Sequence, residues 1–114
     1  MLAKKFKLTG SKDFKRVQDQ GEVHQSETFG IAILKRGDSE PSRFAFIVST
    51  KIAKEAVDRN RFKRTLSEAV RLSSRDILPG FDCVFLAKTT IVKIPTSSVM
   101  KEVREALVKS GLIK

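Results

Sequence analysis

Arg59-Asn60-Arg61-Phe62-Lys63-Arg64 gathers four cations, an amide and an aromatic ring into six consecutive positions. Guanidinium groups grip phosphate oxygens through paired hydrogen bonds and stack on bases, and an Asn amide both donates and accepts, so these residue types suit the holding of folded RNA. A basic run alone equally fits a solvated helix face or a targeting patch. Groups that would cut RNA are not evident. There is no paired-His motif, Cys–His pair or glycine-rich phosphate loop, and Asp58, Glu68 and Asp82 do not have the spacing of a metal-binding carboxylate cluster. The lone Cys83 lies in an apolar stretch and reads as a small buried hydrophobe, and the lone His24 as a surface-loop residue. The expectation is a protein with no catalytic residue and no metal site of its own.

For the basic side chains to act together, one element must present them on one face. From Ala56 to Ser73, Phe62, Leu66, Ala69 and Val70 recur at helical spacing. At about 100° per residue the opposite side collects Asn60, Arg64, Ser67 and Arg71, flanked by Arg61 and Glu68. Arg59 falls near the apolar stripe, where packing its stem and pairing with an acid is the alternative to RNA contact.

Around this helix, Ser11 reads as the N-cap of a short helix that stops near Gly21. Thr28 to Leu34 and Arg43 to Thr50 read as two neighbouring strands forming a hairpin across the Gly37–Pro41 turn. Alternation places Phe29, Ile31, Ile33, Phe44, Phe46 and Val48 on a core face. Gly30, Ala32, Ala45, Ile47 and Ser49 fall on the other face, whose small side chains would let an extended ligand approach. After Pro79-Gly80, Phe81 to Lys88 reads as a strand buried on both sides, and Ser97 or Ser98 as the cap of a last helix ending at Gly111. With no repeat and no linker, residues 1–114 read as one α+β domain.

The net charge of +10 asks for an anionic partner, and its distribution says where that partner sits. Residues 1–16 carry six cations against one acid and residues 51–75 carry eight against three, whereas 17–50 are net acidic. Concentrated cations release counterions from a phosphate track, so nucleic acid is the expected partner. Apolar runs such as Phe44 to Val48 fall far short of a membrane span, and no apolar core of signal-peptide length follows the N-terminal lysines. A cytoplasmic protein with no membrane contact and no obligatory protein partner is expected.

Taken together, Phe46-Ile47-Val48-Ser49-Thr50-Lys51-Ile52, Ala56-Val57-Asp58-Arg59-Asn60-Arg61-Phe62-Lys63-Arg64 and Glu68-Ala69-Val70-Arg71 resemble the signature of the bacterial ribonuclease P protein family. In that family a strand ending in V-S-x-K leads into A-V-x-R-N-R-x-K-R and then R-E-A-x-R. Asp13-Phe14 with Val17 and Gly21 is similar to the family's opening helix, and Gly80-Phe81-Asp82 followed by a strand ending at Ala87 to its G-x-D-x-x-x-x-A segment. The resemblance spans roughly residues 6–107. The chain departs from the pattern at Ala53, where glycine is usual, in one extra residue before Ala56, at Ser67 in place of a cation, and at Gln18 and Ala32 in place of aromatics.

The resemblance implies a two-layer α+β sandwich of a small mixed sheet with three helices. It also implies a left-handed crossover around the basic helix, where the general rule favours a right-handed one. It implies a protein subunit that binds a catalytic ribonuclease P RNA and the 5′ leader of precursor tRNA, with the Mg2+ ions held by the RNA. By matching positions it assigns Lys51, Arg59, Asn60, Arg61, Lys63, Arg64 and Arg71 to the RNA subunit. Phe14, Gly30, Ala32, Ile47 and Ser49 go to a leader cleft, with plain core packing as the alternative for Phe14. The competing reading is a ribosomal or other structural RNA-binding protein, and a stand-alone nuclease is a third.

Overall fold

The computed structural model describes residues 4–113. Three helices, α1 (Ser11–Gln20), α2 (Ala56–Leu72) and α3 (Thr96–Lys109), accompany four strands, β1 (Glu22–Gln25), β2 (Phe29–Lys35), β3 (Arg43–Ile47) and β4 (Phe81–Ala87). The sheet is mixed, in the order β1-β2-β4-β3. β2 pairs antiparallel with both β1 and β4, while β3 runs parallel to β4. A parallel pair needs a crossover connection, and α2 supplies it.

The expected hairpin between the second and third strands is therefore corrected: β4 lies between them, with Ala32 and Ala45 both opposite Val84. The reason lies in composition. Cys83, Val84 and Phe85 are wholly buried, and a strand apolar on both faces gains most from a central place. The sequence left the number of strands before α2 at two or three; β1 is the third, and its residues were not singled out because it is short, polar and largely exposed. His24, expected in a loop, sits in that edge strand opposite Ile31.

Two cores flank the sheet. The larger packs Phe29, Ile31, Phe44 and Phe85 against Phe62, Leu66 and Val70 of α2 and Val99, Val103 and Leu107 of α3. Phe85 is its hub, with ring centroids 5.3 Å from both Phe29 and Phe46. On the opposite face a smaller cluster joins Leu8 and Val17 to Ala32, Ala45 and Val84, so α1 covers part of the face expected to lie open. Small residues there admit a helix at close range. Gly21 ends α1 at a contact that glycine alone fits, since a Cβ would come 2.4 Å from the Val17 carbonyl oxygen.

α3 starts two or three residues earlier than a cap at Ser97 or Ser98 would give. Pro95 precedes it, and the Pro95 carbonyl accepts the Ser98 and Val99 N–H groups at 3.0 and 3.1 Å. The fixed proline φ prepares that first turn without a side-chain cap. At Ala53, where the resembled family has glycine, no special backbone is needed: positive φ among the described residues is confined to glycines.

Candidate RNA interface

α2 displays Asn60, Arg61, Lys63, Arg64 and Arg71 to solvent, as its helical period requires once Phe62, Leu66, Ala69 and Val70 are buried. Their charges differ in availability. The Arg61 guanidinium lies 4.9 Å from the Phe62 ring centroid, an arrangement that holds the side chain while leaving its hydrogen-bond donors exposed. Arg71 donates to Glu68 at 2.8 Å one turn back, which partly neutralises the C-terminal end of the face. The strongest positive character therefore lies towards Asn60–Arg64.

Arg59 is placed differently. Half-buried, it bends towards the preceding turn, and one guanidinium nitrogen donates to the Ala53 and Lys54 carbonyls at 3.0 and 2.7 Å. The alternative of pairing with an acid is not what the structure shows; main-chain carbonyls take that part. Lys51 is exposed on the same turn.

Ser67, placed by the helical wheel on the outward side, is buried, and its hydroxyl donates to the Arg64 carbonyl at 3.0 Å. Ser67 lines a groove that it shares with the N-terminal segment. Leu8 N–H donates to the Phe44 carbonyl at 2.8 Å, which lays residues 7–9 along the outer edge of β3 and beside α2.

Between that segment, α1, β3 and α2 runs a groove of about 450 Å³. Phe14, Ala45 and Phe46 supply apolar walls, while Lys7, Asn60, Lys63 and Arg64 supply polar and cationic ones. The structure thus joins Phe14, assigned to the leader set, with three members of the RNA-subunit set. Phe14 is half-buried against the smaller core cluster, so packing and an exposed ring edge coexist.

The remaining leader candidates do not share its surface. Ala32 is only 1% exposed, beneath α1. Gly30 is buried too, with Gln25 so near that an added Cβ would meet the Gln25 amide oxygen at 3.0 Å. Both were expected on an open face; Ala32 instead lies beneath α1, and Gly30 is covered by the Gln25 side chain of β1. Ile47 is half-buried against the smaller cluster and Ser49 is exposed just beyond the end of β3.

Sequence reasoning missed three features. Val57 is 78% exposed on the outward side of α2, an apolar spot among cations. Lys7 and Thr9 line the groove, and the only hint was the positive charge of the N-terminal segment. Third, Asp82 has no exposed side-chain surface and receives three arginines: Arg16 at 3.1 Å, Arg36 at 2.6 Å, and Arg43 at 2.9 and 2.8 Å. Burial alone would raise its pKa, but the bonds from Arg43 and Arg36 outweigh burial and hold the carboxyl below the usual carboxylate range. This network fastens α1 to the sheet through Arg16. No cluster of three or more potential metal-ligating side chains occurs among the described residues. Burial raises the Cys83 thiol well above its ordinary range, so the thiolate is disfavoured.

Comparison with known proteins gives a consistent result. The family model described as Ribonuclease P matches residues 2–111. The ribonuclease P protein component of Symbiobacterium thermophilum is 30% identical, over 99% of this chain and 97% of the relative. That of Rippkaea orientalis is 28% identical, over 98% of this chain and 91% of the relative. Among solved structures, the Thermotoga maritima RNase P protein is 26% identical with a TM-score of 0.79, covering 89% of this chain and 94% of that one. The Staphylococcus aureus RNase P protein, at 20% identity, shares the fold with a TM-score of 0.87, covering 96% of this chain and 98% of that one.

Proposed function

The chain belongs to the ribonuclease P protein family, the protein component of an RNA-based endoribonuclease of tRNA processing, and on that premise we propose how its surface divides the work. The outward face of α2 holds the ribonuclease P RNA through Asn60, Arg61, Lys63 and Arg64. The adjoining groove takes the single-stranded 5′ leader of precursor tRNA along Phe14. Cleavage belongs to the RNA subunit, with Mg2+ held there. The protein contributes binding and alignment in the cytoplasm.

One observation carries this reading: exposed cations on α2 line the same groove as a half-buried aromatic ring. Phosphates are met by Lys63 and Arg64, and a base set against Phe14 gains stacking without sequence restriction. Ile47 and Ser49 extend that path along the end of β3, whereas Gly30 and Ala32, covered by Gln25 and α1, take no part in it. A structural RNA-binding protein would show the same cations; the family match favours the ribonuclease P assignment over it.

Titration of ribonuclease P RNA at increasing salt tests the reading. A phosphate track gives log K falling linearly with log salt, with a slope of roughly 0.7 to 0.9 for each contact. Arg64→Ala should lower both affinity and slope. A slope near zero, or an Arg64→Ala titration indistinguishable from wild type, would contradict it.

A further inference from the structure

Arg59 belongs to the cationic run by sequence, yet one nitrogen of its guanidinium is engaged by the protein's own backbone. That nitrogen spans the Ala53 and Lys54 carbonyls at 3.0 and 2.7 Å. The turn it holds is closed from the other side as well, because the Ser49 carbonyl accepts the N–H groups of Ile52 and Ala53 at 3.0 and 3.3 Å. Ile52 and Ala53 are half-buried against the main core, which leaves Lys51 and Lys54 exposed. Six residues of neither strand nor helix are thereby fixed at both ends, with two ammonium groups displayed at the start of α2.

We propose that Arg59 is a positioning residue for RNA binding: by clamping the 49–54 turn to α2, it presents Lys51 and Lys54 as an extension of the helix's cationic face. The inference rests on the proposed role of that face in holding RNA. Its physical basis is preorganisation. Lysine has a flexible stem and no fixed fork, so its affinity for phosphate depends on the backbone that carries it. A turn that must be ordered at the moment of binding loses part of that affinity to conformational entropy. The planar Arg59 guanidinium removes the loss beforehand, joining the turn to a helix already anchored by Phe62 and Leu66.

A double-mutant cycle separates positioning from direct phosphate contact. Arg59→Ala is measured in wild type and in a Lys51→Ala/Lys54→Ala background, with dissociation constants for ribonuclease P RNA and amide exchange of the free protein. Positioning predicts roughly a tenfold loss in wild type, a loss under about twofold where both lysines are absent, and faster exchange at Ile52 and Ala53 with β4 unchanged. Equal losses in the two backgrounds would overturn the proposal and make Arg59 an independent RNA contact. A lysine pair whose removal changes nothing, while Arg64→Ala still weakens binding, would also overturn it and leave the α2 face standing. If Arg64→Ala has no effect either, the proposed face fails and the inference with it.

Discussion

Arg61 and Phe62 are neighbours in sequence with opposite duties. Arg61→Ala and Arg64→Ala remove exposed charge-assisted donors, so each should weaken binding to ribonuclease P RNA by about tenfold or more with the fold intact. Phe62 is 7% exposed in the main core, and Phe62→Ala should cost about 3 to 5 kcal/mol of stability. Filter binding beside thermal melts checks both. Unfolding by the arginine variants with an unaffected Phe62→Ala would reverse the two faces of α2. Phe14 has a mixed environment, so Phe14→Ala should lower affinity for leader-bearing tRNA by about 1 to 3 kcal/mol while scarcely changing that for mature tRNA. Equal losses for the two tRNA forms, or a loss that unfolding explains, would return Phe14 to the core. The α2 residues were legible because helical period alone separates Phe62 from Asn60 and Arg64. Arg59 was not, because its partners are carbonyls of a turn whose path no periodicity describes.

α1 is the element on which the groove depends, and its attachment was invisible in sequence. Arg16 and Asp82 stand 66 positions apart, and no spacing rule connects them. Likewise the central place of β4 emerges from competition among strands for burial, which local alternation does not rank. Asp82→Asn leaves Arg36 and Arg43 facing a neutral partner, and removing one member of a buried ionic network costs about 3 kcal/mol or more. The folded carboxyl titrates below its unfolded value of 3.8, so its stabilisation is complete above that value and is lost as pH falls through the lower folded value. Wild type should therefore lose stability in acid faster than Asp82→Asn, and the two should differ by a constant amount between about pH 5 and 8. Denaturant melts across pH measure this; parallel curves at low pH would show that Asp82 does not carry the acid response.

At the scale of the molecule, the +10 charge is concentrated in the N-terminal segment and α2, and folding brings these two segments to one groove. Sequence identified both as basic but could not show that they meet, because the pairing of Leu8 with Phe44 is a long-range event at the edge of β3. The small-residue face was expected to admit an extended ligand, but α1 covers Ala32 there, and the open path lies further along towards Phe46. In the proposed role this protein is an aid to an RNA catalyst. Its most direct test is cleavage of precursor tRNA at limiting Mg2+ by protein alone, ribonuclease P RNA alone, and the two together. The mixture should cut at the mature 5′ end at Mg2+ concentrations where neither component does so alone. Cleavage there by RNA-free protein, or a mixture no better than the RNA alone, would contradict it.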